Sequence, residues 1–326
     1  MEHTRIYFIL ILMMVTFSCS GDRDTRDNEE ASPEPVRTFI LDADTGNEMD
    51  DLYAIVRCLL DDEVNLAGLT SAHFNNVQLL TDSLWHIYPT DHIHTVGISQ
   101  ELNESILDRM DRNDIPHPEG CDRMVGYAWG YYEGAPVPGS PAVDFIESMA
   151  RRHDSIRKLN VLTLGPVTNI ASLLLKQPGL AKNIRLFALN MKRTESGAWD
   201  KNSFNARNDI NGLDILLSMP DLEMVVMPGN VARTLTFSRE ETLDRLSRWD
   251  HPVSELLAER WDEVSAGDSW IMWDLALVEA VIHPGFSRME RVSVPPENGD
   301  HEIWVYTDID AGRMRDAFWK QVEGFR

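Results

Sequence analysis

The chain has 326 residues, 53 of them acidic against 30 basic, for a formal charge of −23. So acidic a protein repels nucleic-acid phosphates and anionic lipid, which argues against both as partners of the folded body. The length accommodates two ordinary domains or one large α/β domain, and with no Gly/Ser-rich or Pro-rich linker and no internal repeat beyond residue 36, one domain is expected.

Residues 1–18 read as a signal peptide: Arg5 precedes an apolar run from Ile6 to Phe17, shorter than the roughly 20 residues that span a bilayer. The run ends Thr16-Phe17-Ser18-Cys19. A small residue directly before a cysteine at such a point resembles the lipobox of bacterial lipoproteins. That implies export, a lipid on Cys19 and a membrane contact (periplasm or cell surface) through this anchor alone. A plain secretory signal cut near Ser20 or Gly21 is the alternative. Residues 19–35 are polar, charged and proline-ended, and read as an acidic disordered tether, with the folded domain at 36–326. Of the remaining Cys58 and Cys121, Cys58 falls on the apolar spacing of a helix, so a buried thiol is expected rather than a disulfide.

The first strand, Val36 to Leu41, runs into Asp42-Ala43-Asp44-Thr45-Gly46-Asn47-Glu48-Met49-Asp50-Asp51. Carboxylates crowded like this repel one another and stay ionised cheaply when a hard cation sits among them; oxygen-only ligands favour calcium or magnesium over zinc. Asp50 and Asp51 alone would pass for ordinary acids in the first turn of a helix. Asp42 and Asp44 at a strand end change that reading, because open α/β sheets bind ligands outside the carboxyl ends of their strands.

Further strands are expected at Val64 to Ser71, Ile93 to Ile98, Leu159 to Leu164, Ile184 to Leu189 and Met224 to Met227. Helical spacing lies between them at Asp50 to Leu60, Val77 to Ile87, Ala142 to Ile156, Val167 to Leu175 and Asn208 to Ser218. Later helices are expected at Arg239 to Arg248, Pro252 to Val264 and Trp273 to Val281, then an antiparallel pair, Arg291 to Val294 with Glu302 to Tyr306, and a terminal helix from Gly312. This alternation calls for an α/β fold: a mostly parallel open sheet with helices on both faces, a Rossmann-like core, and a small antiparallel addition near the C-terminus. Asn75 and Asn76 follow the second strand, and Leu164-Gly165-Pro166-Val167-Thr168-Asn169 follows a middle one, all at carboxyl ends.

Four blocks, in order, resemble the inosine-uridine nucleoside hydrolase family from about Val36 onward. They are the Asp-x-Asp to Asp-Asp segment, Gly165-Pro166-Val167-Thr168-Asn169-Ile170-Ala171, Phe204-Asn205 with Asp209, and Trp273-Asp274-Leu275-Ala276. The resemblance implies calcium held by Asp44, Asp51, Asp274 and the main-chain carbonyl of Leu164, with Asp44 also the general base. It implies that Asp50 and Asn205, with Asn75 assisting, hold the hydroxyls of a small-molecule riboside, while Asp42 buttresses the loop. A homo-oligomer is left open.

Two positions depart from the family: Ser203 stands where a Glu is usual and Trp273 where a His is usual. An indole N–H cannot donate a proton to a departing base. Trp273, Trp199, Trp129 or Tyr131 could instead offer a stacking surface, and His117 is a candidate replacement acid. His73, His251 and His283 have no partner at metal-ligand spacing, so surface or capping roles are expected. Two other functions are compatible with parts of this pattern. A haloacid dehalogenase-like phosphatase also begins apolar-Asp-x-Asp, but Gly46 stands where Thr or Val is normal and the Asp50-Asp51 pair is left without a role. A surface lipoprotein that binds ribosides with weak or no turnover would follow from the lost acid.

Overall fold

The computed structural model describes residues 35–75, 93–127 and 129–325. The signal peptide, nearly all of the tether, Asn76 and the helix expected from Val77 to Ile87 lie outside the described residues.

The strands in chain order are β1 (Thr38–Ala43), β2 (Asn65–Ser71), β3 (Leu159–Thr163), β4 (Ile184–Leu189), β5 (Lys192–Arg193) and β6 (Trp199–Asp200). They continue with β7 (Glu223–Met227), β8 (Thr236–Ser238), β9 (Ser269–Ile271), β10 (Ser287–Ser293) and β11 (Glu302–Ile309). The helices are α1 (Asp50–Leu59), α2 (Thr95–Arg109), α3 (Pro141–Ala150), α4 (Thr168–Lys176), α5 (Phe204–Asn208) and α6 (Ile210–Leu217). After these come α7 (Gly229–Ala232), α8 (Arg239–Leu246), α9 (Pro252–Glu263), α10 (Trp273–Ile282) and α11 (Ala311–Gly324).

Among the described residues, seven strands form the main sheet in the order β10-β11-β7-β4-β3-β1-β2. Every neighbouring pair is parallel except β10 with β11, which is the expected antiparallel addition. The central strands are apolar at almost every position because helices cover both faces. On one face Phe39 and Leu41 of β1 pack with α1, α9, α10 and α11; on the other Ile40 packs with α3, α4 and α6. Chain order reverses at β1, which lies between β2 and β3. Such a switch point opens a crevice at the strands' carboxyl ends, and the acidic segment leaves β1 there.

Three expected elements need correction. Ile93 to Ile98 is not a strand: Thr95–Arg109 is helix α2. Its buried positions, Val96, Ser99, Asn103 and Ile106, recur every three or four residues. Two of these are polar, which hid the helical period behind a short β-branched run. The helix expected to reach Ile156 stops at Ala150, where Asp154 accepts from the backbone N–H groups of Ile156 and Arg157 and turns the chain. The helix expected over Asn208 to Ser218 is two helices, α5 and α6, because Asp209 leaves the helical region and caps α6 through Gly212 N–H at 2.8 Å. Cys58 and Cys121 are buried free thiols, as expected.

Candidate active site

The acidic turn is held from two sides. Asn47 N–H donates to the carbonyl of Asp44 at 2.8 Å and closes it. From α2, Asn103 Oδ1 accepts from Thr45 Oγ1 at 2.6 Å and Ser99 Oγ accepts from Gly46 N–H at 3.3 Å. From α9, the buried Arg260 donates to the carbonyls of Gly46 at 2.8 Å and Glu48 at 3.2 Å. The Asp42 carboxylate accepts from Thr70 Oγ1 of β2 at 2.5 Å and from Asn169 Nδ2 of α4 at 2.8 Å, and it supports the turn from beneath. Burial pushes its carboxyl up to about 7 against those two hydrogen bonds.

Asp50 and Asp51 occupy the first turn of α1, and Asp50 Oδ2 accepts from the backbone N–H of Asp274 at 3.1 Å. One helix-opening carboxylate therefore caps the start of α10, and the two helix N-termini meet. Single oxygens of Asp50, Asp51 and Asp274 lie within 4.8 Å of one another. Asp44 faces Gly165, where an added Cβ would come within 2.7 Å of the carboxylate. Only glycine leaves room for that side chain. Leu164 donates its N–H to the carbonyl of Asp42 at 2.8 Å, and its own carbonyl accepts from Asn205 Nδ2, which also donates to Leu189 O at 3.0 Å.

These residues share a cavity of about 380 Å³, lined among others by Asp44, Asp50, Asp51, Leu164, Asn205, Trp273 and Asp274. One carboxylate oxygen on each of Asp44, Asp50, Asp51 and Asp274 is buried without a hydrogen-bond partner. Burial, then the charges of its acidic neighbours, raises the carboxyls of Asp44 and Asp274 well above their usual range, and Asp51 reaches about 8 through burial and then Asp50. Unpartnered anionic oxygens in so dry a place fit a bound cation, and this buried Asp cluster could hold a metal ion.

Asn75 is not in the lining; its side-chain amide donates to the carbonyl of Asp122. Ser203 is a cap, accepting from Met191 N–H at 3.1 Å and Ala206 N–H at 3.4 Å. Of the four candidate stacking rings only Trp273 lines the cavity. Trp199 donates to Ser293 O under the Arg193 guanidinium, Trp129 stacks on Tyr127 in solvent, and Tyr131 packs on the α4 side. His117 faces the carbonyl of Ile115 and does not line the cavity. His251 caps α9, as expected. His73 is not on the surface: it is fully buried, with Nε2 2.9 Å from Thr168 Oγ1, because β2 carries it under the loop.

Sequence reading missed Arg260, whose position inside an ordinary amphipathic helix carries no signal. It also missed Lys192, Arg207 and Arg233, which line the same cavity.

The fold is similar to that of solved nucleoside hydrolases. A plant nucleoside hydrolase matches with TM-score 0.66 and 17% identity, over 88% of this chain and 99% of its own. A purine-preferring ribonucleoside hydrolase from Gardnerella vaginalis gives 0.65 and 18%, over 88% and 98%. An inosine-uridine preferring nucleoside hydrolase from Bacillus anthracis gives 0.63 and 13%, over 88% and 99%. No curated protein matches the chain. The family model for inosine-uridine preferring nucleoside hydrolases matches residues 39–316, a span that begins in β1, ends in α11 and contains every carboxylate of the cavity. By that match the chain belongs to the inosine-uridine preferring nucleoside hydrolase family and is an N-ribohydrolase.

Proposed function

We propose that the protein is a calcium-dependent hydrolase of the N-glycosidic bond of ribonucleosides or related ribosides, releasing ribose and the free base. The observation that carries this reading is the set of unpartnered buried oxygens on Asp44, Asp50, Asp51 and Asp274 in one cavity of the size a riboside needs. Asp44, Asp51, Asp274 and the Leu164 carbonyl would hold the calcium, a hard cation that takes six to eight oxygens. When bound, it would make water more acidic and fix the sugar hydroxyls.

Asp44, packed against Gly165, is the general base that takes a proton from the attacking water. Asp50 and Asn205 hold ribose hydroxyls. Their carboxylate and amide oxygens also stabilise the positive charge that builds on the sugar ring as the C–N bond breaks. Asn75, tied to the Asp122 backbone, takes no part in this scheme. Trp273 offers the leaving base a face to stack on, and no proton. We also propose export with lipid anchoring at Cys19, in keeping with the N-terminal sequence; among the described residues no helix is long and apolar enough to cross a membrane.

Trp273 favours a second reading, riboside capture with little turnover. The test is release of ribose from inosine, uridine and p-nitrophenyl riboside, with calcium and with chelator. Calcium-dependent release from any of the three supports hydrolysis; tight binding without release supports capture. The absence of both binding and release would overturn the proposal.

A further inference from the structure

The cavity has a cationic wall as well as an acidic floor, in a chain whose net charge is −23. Lys192 follows strand β4, and Arg233 follows α7 after strand β7. Two backbone contacts stitch their segments together: Gly229 N–H donates to Met191 O at 3.0 Å, and Asn230 Oδ1 accepts from Arg193 N–H at 3.0 Å. Met191 adopts a left-handed conformation (φ 53°), a costly choice for a residue with a side chain, and the chain turns there as it enters Lys192.

The neighbouring cations are paired. Arg193 meets Glu290 at 3.2 Å, and Lys201 meets Asp214 at 2.5 Å and Glu297 at 2.7 Å. Lys192 and Arg233 have no carboxylate partner among the described residues, yet both line the cavity, with Arg207 beside them. Strand order sets their separation from the acids. In that order β4 and β7 stand two and three strands from β1, and the cations that follow them line the same cavity as the acids. One ligand molecule can therefore touch both ends of this gradient.

We infer that the substrate is a riboside carrying an anionic group, phosphoryl or carboxylate, which Lys192 and Arg233 receive while the sugar lies on the carboxylate floor. An anion approaching so acidic a protein is repelled on balance, and two positive residues lining one cavity are a local correction that admits it. Guanidinium and ammonium groups are the usual donors to such anions. The identity of the sugar rests on the hydrolase reading; the anion does not.

The test uses uridine, uridine 5′-monophosphate and orotidine, which share a ring and place the charge nowhere, on the sugar, or on the base. Binding and hydrolysis are measured at low salt and excess calcium for the unmodified protein, Lys192→Ala and Arg233→Ala. Both residues are exposed, so the variants should fold. We expect at least one anionic compound to bind tenfold or more tightly than uridine, and either substitution to cut that ratio to threefold or less. A preference for the monophosphate puts the anion on the sugar, and a preference for orotidine puts it on the leaving group. Uridine binding as well as both, or a preference that both substitutions leave intact, overturns the inference. An intact binding preference with no hydrolysis of any compound would support it while counting against the hydrolase reading.

Discussion

Arg260 donates through Nη2 to the carbonyl of Gly46 at 2.8 Å, across more than two hundred residues of chain. Burial and then the neighbouring acids hold the carboxyls of Glu48 and Asp51 above their usual range, and the Arg260 charge partly offsets this. The same group holds the backbone of the turn in the shape that aims Asp44 and Asp50 into the cavity.

Replacing it should therefore loosen the turn and unbalance its charge together. Arg260→Met should lower stability by about 2–4 kcal/mol, the range for removing one partner of a buried, hydrogen-bonded charge. Chemical unfolding measures this, and a loss below about 0.5 kcal/mol would mean that the clamp is incidental.

Gly165→Ala should leave the fold nearly intact and remove activity, because the new Cβ falls within 2.7 Å of the Asp44 carboxylate. A displacement of about 1 Å at a catalytic group costs on the order of a hundredfold in rate. A near-normal kcat in a folded Gly165→Ala protein would show that Asp44 need not stand where it does.

Calcium should stabilise the protein, by about 4 kcal/mol at a thousand times its dissociation constant, through binding the folded state alone. Asp51→Ala should erase the calcium-dependent rise in Tm, since its buried carboxylate is one of the four with an unpartnered oxygen. Equal Tm values in calcium and in chelator for the unmodified protein would refute a calcium site.

The buried chain His73–Thr168–Asp209, with contacts of 2.9 and 2.7 Å, gives a pH test. Burial lowers His73 to about 4, so the unfolded chain binds the extra proton below pH 6.5 and stability is lost as pH falls toward 4. Burial raises Asp209 from 3.8 to about 6, so its contribution is complete at low pH and is lost as pH rises toward 6. Each is worth about 3 kcal/mol at most, and in the unmodified protein they oppose each other. Relative to it, His73→Gln should gain stability as pH falls from 6.5 to 4, and Asp209→Asn should gain as pH rises from 4 to 6. Urea unfolding curves that stay parallel across this range would show that neither group carries its burial into stability.

Trp273→Ala should weaken binding of aromatic-base ribosides by roughly 1–3 kcal/mol, the worth of stacking on an aromatic side chain, and spare a small activated sugar. Trp273→His should raise turnover of poor leaving groups, since imidazole donates a proton and indole does not. A uniform loss on all substrates with a lowered Tm would assign Trp273 to packing alone.

Much of this was legible in the amino-acid order. The alternation of β-branched runs with helical spacing led to the parallel sheet, because side-chain period is a local property that burial on both faces enforces. The Asp44 to Asp51 segment pointed to a cation, because crowded carboxylates repel one another unless one sits among them, and Asp50 and Asp51 do join Asp274 in a buried cluster that could hold a metal ion. Asp274 and Asn205 were found only through blocks shared with a family, since no spacing rule joins residue 44 to residue 274. Helix α2 went unread because Ser99 and Asn103, buried as partners of Gly46 and Thr45, look like surface residues until the turn they hold is present. Arg260, Lys192 and Arg233 carried no local signal: a cation in a loop or on a helix reads as solvated until the tertiary fold sets it against the acidic turn, as for Arg260, or into the cavity wall, as for the other two. Which charges face the acids, and which face away into ion pairs, depends on that convergence, because electrostatic energy falls with distance through space and is indifferent to distance along the chain.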